Sequence, residues 1–308
     1  MENMESYHEN FKGKGGEAHK NLKTSENLWD ELTQKGADRK SVLINIGGGV
    51  ITDLGGFVAS AYKRGIAFVN IPTTLLAMVD ASVGSKTGVD LGVLKNQIGF
   101  FADPKMVLIA PIFLKTLPLV EKISAYAEII KYGLSYDKKL WEDFSRASSE
   151  FLGVSSEFLG GIIYRCIAIK NEVVLKDKKE RSLRKVLNFG HTVGHAIESY
   201  FLGASDKKNI THGAAISVGI VVACHISHTV LGFDKKKTDH IKKYIISIFG
   251  KIPIKKTDYP LVLDLLKHDK KNTKGHLNFV LLKDIGVFEL DCRVDDTTII
   301  NALNYYAQ

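Results

Sequence analysis

The sequence predicts an α/β domain with a parallel sheet over residues 1–117, followed by a mainly α-helical domain over residues 118–308. In the first half, short β-branched runs end at glycine or proline and helical stretches separate them, which indicates parallel strands joined by crossover helices. After Leu117-Pro118, long amphipathic stretches without internal proline follow one another. A chain of 308 residues with 45% hydrophobic content is long enough for two domains.

The first predicted strand, Ser41 to Ile46, stops at Gly47-Gly48-Gly49 and leads into an amphipathic stretch from Thr52 to Lys63. Further strands are predicted at Ala67 to Ile71 and at Met106 to Ala110. Glycines after a strand allow backbone N–H groups to approach a diphosphate at a helix N-terminus, as in a Rossmann-like domain. A tight turn without a ligand is the alternative, because the usual Gly-x-Gly-x-x-Gly pattern is absent.

A segment rich in glycine and serine, from Asp80 to Gly88, is predicted as a loop that contains the charges of Asp80 and Lys86. Serine at 85 and aspartate at 80 replace the two glycines of a Walker motif, which argues against a nucleoside triphosphatase. The loop is still typical of an anion cradle that contains a cation.

Four long helices are predicted in the second half, at Leu119 to Tyr132, Lys138 to Ser149, Phe158 to Leu175 and Thr192 to Tyr200. Glu128 and Lys131 are three residues apart on the first of them. An exposed ion pair is one interpretation. Small and apolar neighbours on both sides favour a buried pair instead.

Between Arg184 and His195 the chain places His191 and His195 one helical turn apart, next to cationic and amide side chains. Neutral imidazole is the commonest protein ligand for zinc-like metals, although a buried helix with two histidines has the same pattern. His212 stands just before another apolar helix. One glutamate and two histidines on separate elements form the ligand set of an open catalytic metal site.

The net charge of +8 comes largely from scattered lysines, with no arginine-rich segment of the kind that nucleic-acid modules carry. It favours an anionic small-molecule substrate rather than nucleic acid.

Three widely spaced cysteines suit a reducing compartment. With no apolar leader, and an apolar stretch at Ala214 to Cys224 that we take as too short to span a bilayer, we expect a cytoplasmic protein without a membrane partner.

Together these motifs resemble the 3-dehydroquinate synthase family of sugar phosphate cyclases, in the family's order, from about Gly16 to Gly275. The matching motifs are Gly16-Glu17 with Lys20, residues 47–53, 62–65 and 72–76, Asp80 to Lys86, Lys95-Asn96, residues 115–118 and 127–133, Arg184 to His195, His212-Gly213 and residues 269–271.

The resemblance implies conversion of 3-deoxy-D-arabino-heptulosonate 7-phosphate to 3-dehydroquinate and phosphate, in the shikimate pathway of aromatic amino acid biosynthesis. The implied chemistry is transient oxidation by NAD, elimination of phosphate, reduction and aldol closure, which makes the enzyme a lyase. A divalent metal, zinc or cobalt, would act as a Lewis acid, and NAD would carry the hydride.

By the same resemblance, the metal ligands would be Glu128, His191 and His212. Residues matching NAD-contacting positions are Glu17, Lys20, Gly48, Gly49, Asp53, Thr73, Thr74, Asp80, Lys86, Lys95 and Thr116. The substrate would be held by Arg64, Asp80, Lys86, Asn96, Lys131, Lys170, Arg184, Asn188, His195, Lys270 and Lys271. Of all these, the catalytic residues would be His195, Lys86, Lys131, Asn188 and Arg184. Arg64 matches an arginine that reaches the phosphate of a neighbouring subunit, so the resemblance implies a homodimer.

The chain departs from the family pattern at Ser85, usually glycine, and at Ala214, usually glutamate, and residues 205–209 resemble a loop insertion. The family also begins with a further strand and helix that this sequence lacks. We expect their absence to weaken NAD binding and to expose a sheet edge. The alternatives are a truncated paralogue that is inactive or only binds ligand, another sugar phosphate cyclase, and a metal-dependent polyol dehydrogenase.

Overall fold

The computed structural model describes residues 16–92, 94–147, 156–203, 210–267 and 277–308. The chain divides into two compact units. The first contains residues up to 72 together with 85–109, and the second contains 73–84 together with 110–308. The functional division after residue 117 remains a prediction.

A three-stranded parallel sheet organises the first unit, which confirms the predicted fold class. Strand β1 (Val42–Gly47) pairs along its whole length with β2 (Ala67–Pro72), and β2 pairs with β5 (Met106–Val107). The third strand is shorter than predicted, although Leu108 N–H still donates to the Asn70 carbonyl at 2.8 Å. Pro111 follows closely and supplies no N–H, which limits further pairing.

Two helices belong to this unit, α1 (Leu22–Gln34) and α2 (Gly49–Ala61). The core includes Leu32, Leu54, Phe57 and Phe68. On the sheet's other face, Val42, Ile44 and Ile46 of β1 are 52–58% exposed, and β1 is an edge strand among the described strands.

An antiparallel hairpin completes the first unit, formed by β3 (Lys86–Leu91) and β4 (Leu94–Phe101). The prediction of a loop up to Gly88 is therefore wrong for residues 86–88. Pairing with β4, the next strand in the chain, overrides the weak strand preference of this glycine-containing segment. The start of the predicted loop falls within a π-helical turn, Ala77–Ala81, which belongs to the second unit.

The second unit is mainly helical, as predicted. Its helices are α3 (Leu119–Ser135), α4 (Lys138–Ala147), α5 (Ser156–Lys176), α6 (His191–Gly203), α7 (His212–Leu231), α8 (Lys235–Phe249), α9 (Tyr259–Lys267) and α10 (Asp296–Ala307). An antiparallel hairpin, β6 (Asn278–Asp284) with β7 (Val287–Arg293), was not predicted.

Helix α7 lies in the core of this unit, with most of its residues buried. Thr211 caps its start and Gly232, with φ of 74°, ends it. The helix is 20 residues long, so the expectation that this apolar segment is too short for a bilayer is wrong on length. Two thirds of its most apolar window is buried within the protein, as in the core helix of a globular domain.

Candidate metal centre and anion site

Three helices of the second unit meet at Glu128, His191 and His212. The start of α7 is held against α3, because the Gly213 N–H donates to Ser124 Oγ at 3.0 Å. A Cβ at Gly213 would lie 1.9 Å from the Ser124 carbonyl oxygen, so only glycine allows this approach. Glu128 is one turn beyond Ser124, which brings its carboxylate to His212.

Helix α6 is packed equally closely against α7. A Cβ at Gly219 would lie 1.9 Å from the Gly190 carbonyl oxygen, and one at Gly194 would lie 3.0 Å from Ile216 Cα. Gly190 itself has φ of 77°, in the left-handed region. These glycines bring the two histidine-bearing helices close together, at the point where α6 begins with His191.

The two imidazoles converge on one carboxylate oxygen. His191 Nε2 and His212 Nε2 each lie 3.1 Å from Glu128 Oε1. The other ring nitrogens face acceptors, with His191 Nδ1 3.2 Å from the Phe189 carbonyl oxygen and His212 Nδ1 3.1 Å from Glu198 Oε2. Carbonyl and carboxylate oxygens only accept, so both Nδ1 atoms carry a proton. Each Nε2 faces Glu128 Oε1, which also only accepts, so without a metal Nε2 donates to this oxygen, and a bound metal would take the place of that proton.

Neighbouring charges shift the pKa values of Glu128 and His212. Burial alone would raise the pKa of Glu128. The charges of Lys131 and His191 and the hydrogen bonds from the histidines outweigh burial, so the pKa of Glu128 lies well below its usual range. Burial opposes protonation of His212, but Glu198 and Glu128 raise its pKa to about 9. Without a metal, protons on the imidazoles therefore balance the buried carboxylates.

The three side chains fit a divalent metal of the zinc type. Two neutral imidazole nitrogens and a carboxylate oxygen are its usual donors. A tetrahedral ion with bonds of about 2.0–2.1 Å would separate its ligand atoms by roughly 3.3 Å, close to the 3.1 Å separations between Glu128 Oε1 and each Nε2.

His195 lies beside the three ligands and not among them. Its ring centroid is 5.1 Å from that of His191 and 6.1 Å from that of His212. The predicted spacing on one helical face is confirmed, since both His191 and His195 lie on α6.

A buried group of cations adjoins Glu128. Lys131 forms an ion pair with Glu128 and lies 3.5 Å from Asp80 Oδ1, while Lys170 Nζ lies 3.0 Å from the same oxygen. Tyr132 donates a hydrogen bond to Asp80. The interpretation of Glu128 and Lys131 as an exposed pair is wrong, because their side chains are 1% and 2% exposed.

The pKa values of the two lysines shift in opposite directions. Burial lowers the pKa of Lys170, and the positive charges of Lys131 and Arg184 lower it further against the attraction of Asp80. For Lys131, the carboxylates of Asp80 and Glu128 outweigh burial and raise the pKa. The cluster therefore holds one firmly charged ammonium and one that an additional anion would stabilise.

Arg184 is held by the segment between α5 and α6. Its guanidinium donates to the carbonyl oxygens of Gly84 and Lys178, and its backbone N–H donates to Asp177. The Asn188 amide donates to Glu180 Oε1 at 2.6 Å. Both predicted residues are thus held in place, with Arg184 only 2% exposed.

In the first unit, five predicted residues form a separate polar cluster. Lys20, 4% exposed, is its centre. Lys20 Nζ contacts Asn96 Oδ1 at 2.8 Å, Glu17 Oε1 at 2.9 Å and Asp53 Oδ2 at 3.4 Å. Lys95 Nζ lies 2.9 Å from the same Glu17 oxygen.

The remaining predicted residues have other positions in the chain. Gly48 caps the start of α2 and Gly49 is its first residue. Thr74 Oγ1 accepts the Ala77 N–H at 3.2 Å, and Thr73 is half-buried. Four of the predicted residues are exposed, namely Arg64, Lys86, Thr116 and Asn96 of the Lys20 cluster. Two more, Lys270 and Lys271, lie outside the described residues, as does the 205–209 insertion.

Several polar residues at these sites were not predicted: Asp90, Tyr132, Asp177, Glu180 and Glu198. Glu198 is seven residues after His191 on α6, and this helical spacing was the available signal. Asp177 accepts three backbone N–H groups, from residues 181, 182 and 184, a loop contact that spacing does not reveal.

The unusual serine at 85 adopts φ of 66°, the left-handed conformation that favours glycine. Its hydroxyl donates a hydrogen bond to Asp103. This bond offsets part of the backbone strain. At the other departure, Ala214 is the third residue of α7, and its N–H donates to Thr211 Oγ1 at 3.3 Å.

Family models cover most of this chain. The model for the 3-dehydroquinate synthase N-terminal region matches residues 10–124, and the model for the C-terminal region matches residues 125–272. The 3-dehydroquinate synthase of Parabacteroides distasonis is 39% identical over 293 residues, which is 95% of this chain and 82% of that protein.

Solved structures of two cyclases share the fold. The 2-epi-5-epi-valiolone synthase of Streptomyces hygroscopicus, solved with NAD+ and Zn2+, has a TM-score of 0.85 at 25% identity and aligns over 95% of this chain and 81% of its own. A 2-deoxy-scyllo-inosose synthase, solved with carbaglucose-6-phosphate, NAD+ and Co2+, has a TM-score of 0.83 at 28% identity with the same coverage.

Proposed function

This chain belongs to the 3-dehydroquinate synthase family, and from that premise we propose how its residues convert 3-deoxy-D-arabino-heptulosonate 7-phosphate to 3-dehydroquinate and phosphate. The reaction makes it a phosphate-eliminating lyase. The alternative of an inactive paralogue is not favoured, because the ligand-forming side chains and the buried cations are both in place.

Glu128, His191 and His212 hold the divalent metal, zinc or cobalt. A metal bound here would supply Lewis acidity, and NAD would supply hydride transfer, to the oxidation of a substrate hydroxyl. The Phe189 carbonyl and Glu198 keep both Nε2 atoms directed at the ligand position. Lys131 neutralises the second oxygen of Glu128, which leaves Oε1 for the metal.

The buried cations bind the phosphorylated substrate. Lys131, Lys170 and Arg184 have most of their solvent removed, which strengthens their attraction for a phosphate or an alkoxide. Asp80 keeps the two lysines in place and accepts hydrogen bonds from substrate hydroxyl groups. Lys86, Asn96, Lys270 and Lys271 are further substrate contacts in this proposal, as the family resemblance implies.

Proton movements fall to residues next to the metal ligands. His195 lies within one helical turn of His191 and exchanges protons with the substrate. The Asn188 amide, fixed by Glu180, orients a substrate hydroxyl. The departing phosphate itself acts as the base for the neighbouring C–H, so no further carboxylate is required.

Residues 1–117 form the NAD-binding region, and residues 118–308 form the region that binds metal and substrate. The Lys20 cluster supplies carboxylates for ribose hydroxyl groups, and the start of α2 at Gly48 and Gly49 binds the diphosphate. The remaining cofactor contacts come from Thr73, Thr74, Asp80, Lys86 and Thr116.

The active form is a cytoplasmic homodimer in which Arg64 contributes to the phosphate site of the neighbouring subunit. Arg64 is exposed at the end of a 3-10 helix and has φ of 69°. Gel filtration and cross-titration of an Arg64→Ala variant with an inactive Glu128→Gln variant test this arrangement. Restored activity in the mixture requires that the two subunits share a site.

One observation carries the proposed function: two imidazoles with fixed tautomers meet a single buried carboxylate oxygen next to a buried group of cations. Phosphate release from the heptulosonate substrate, with zinc and NAD present, tests it. We expect release by the unmodified protein and at least a 10³-fold loss in Glu128→Gln. Glu121→Gln, an exposed position on the same helix, is the matched control. Equal rates in both variants would refute the proposal.

A further inference from the structure

Both nitrogens of the His212 ring contact carboxylates. Nε2 lies 3.1 Å from Glu128 Oε1, and Nδ1 lies 3.1 Å from Glu198 Oε2. The Glu198 side chain is 10% exposed, so its charge is only weakly screened by water. A carboxylate accepts the Nδ1 proton and thereby leaves the Nε2 lone pair free for a metal.

The position of Glu198 follows from the geometry of α6. His191, His195 and Glu198 are spaced at i, i+4 and i+7, so they share one face of the helix. One helix therefore carries both a metal ligand and the acceptor for the ligand on α7. The neighbour of His212 within α7, Ala214, has a methyl side chain and offers no such acceptor.

Close packing of the two helices makes this contact rigid. Gly219 approaches Gly190, and Gly194 approaches Ile216, at distances that exclude a side chain at either glycine. The His212 ring cannot turn without losing both the Glu128 and the Glu198 contact. A second carboxylate in this arrangement is costly to bury unless it serves a positive group.

We propose that Glu198 is a positioning residue for the metal centre. Its carboxylate fixes the tautomer of His212, directs Nε2 to the metal and balances part of the metal's charge. Carboxylates in this relation to a metal-bound histidine contribute about 10–100-fold to metal affinity. The inference rests on the proposed function in that Glu128, His191 and His212 must hold the metal.

Cobalt binding, followed by visible absorption, tests the positioning role without the reaction. We expect Glu198→Ala to weaken cobalt binding by roughly 10–100-fold while one ion per chain is still bound. Glu198→Gln should retain more affinity than the alanine variant, because its amide oxygen still accepts the Nδ1 proton without the charge. Glu172→Ala, at an exposed glutamate of α5, is the control.

Proton NMR of the cobalt-loaded protein separates positioning from a general loss of structure. The unmodified protein should show two exchangeable, hyperfine-shifted Nδ1–H signals, from His191 and His212. In Glu198→Gln the His212 signal should shift and exchange faster with solvent, while the His191 signal stays in place. The glutamine variant carries this test if the alanine variant does not fold.

Three results would overturn the proposal. Wild-type cobalt affinity in Glu198→Ala would show that the carboxylate does not support the metal. Two cobalt ions per unmodified chain, with one of them lost in Glu198→Ala, would make Glu198 a direct ligand of a second ion. An unchanged His212 signal in Glu198→Gln would remove the tautomer role. If the proposed metal site itself were wrong, Glu128→Ala would bind cobalt as tightly as the unmodified chain. This result is distinct from any result for Glu198.

Discussion

Glu128 and Lys131 form an ion pair within a single turn of α3, with 1% and 2% of their side chains exposed. Each also contacts a second group, since Glu128 faces two imidazoles and Lys131 faces Asp80. The pair therefore joins the ligands of the metal centre to the buried cations. Removing either partner takes a compensating charge away from a buried ionic group.

Lys131→Met should lower the free energy of unfolding by roughly 3–5 kcal/mol, because Glu128 and Asp80 lose their shared cation. Denaturant unfolding of the metal-free protein measures this change. Lys139→Met, at an exposed position of α4, should change stability by less than about 0.5 kcal/mol. Similar effects of the two substitutions would contradict the buried ion network.

Gly219→Ala should destabilise the protein by roughly 3 kcal/mol, because the added Cβ meets the Gly190 carbonyl oxygen at 1.9 Å. Gly161→Ala is the matched helical control. Its Cβ meets nothing within 4 Å, so stability should rise by up to about 1 kcal/mol through helix propensity. Thermal unfolding of both variants measures the contrast, and a neutral Gly219→Ala would show that α6 and α7 can separate.

Ser85→Gly should be more stable than Ser85→Ala by about 1 kcal/mol. Both variants lose the hydrogen bond to Asp103, but only glycine relieves the backbone with φ of 66°. Equilibrium unfolding in urea resolves such a difference. Equal stability of the two variants would mean that the left-handed conformation relaxes when the hydroxyl is removed.

Glu17 should stabilise the first unit in a pH-dependent way. Burial alone would raise its pKa, but the charges of Lys20 and Lys95 lower the pKa from its ordinary value of 4.5 to about 2. A lowered folded-state pKa means that this contribution is fully present above about pH 4.5 and is lost as the pH falls towards 2. Unfolding curves between pH 5 and pH 2 should therefore be less pH-dependent in Glu17→Gln.

The control for this acid titration is Glu26→Gln, at an exposed carboxylate of α1 paired only with Lys23 among its described ion pairs. It should leave the pH dependence unchanged, because surface pairs contribute little. If unfolding of Glu17→Gln and of Glu26→Gln has the same pH dependence, the Lys20 cluster does not contain a carboxylate with a strongly lowered pKa.

Residue spacing predicted the parts of the site that lie on single helices. His191 and His195 share a face of α6, and Glu128 and Lys131 share a turn of α3, as the sequence indicates. Spacing did not predict Glu198 as a partner of His212, because that contact depends on how closely α6 and α7 pack.

Pairing between consecutive strands explains two errors in the fold. Residues 86–88 form a strand because β4 pairs with them. The β6–β7 hairpin turns at Ile285-Gly286, where Gly286 has φ of 79°, so a local turn signal was available in the sequence. The apolar segment was predicted to end at Cys224, and it proved longer. His225 and His228 interrupt the run of apolar residues, but helix α7 continues through them to Leu231.

The position of a bound metal tests the assignment of Glu128, His191 and His212 most directly. Crystals grown with zinc, measured on both sides of the zinc absorption edge, should give one strong anomalous peak about 2.0–2.1 Å from Glu128 Oε1, His191 Nε2 and His212 Nε2. A peak at His212 Nδ1 and Glu198, or no peak near α3, α6 and α7, would contradict the assignment of the metal centre and the function proposed from it.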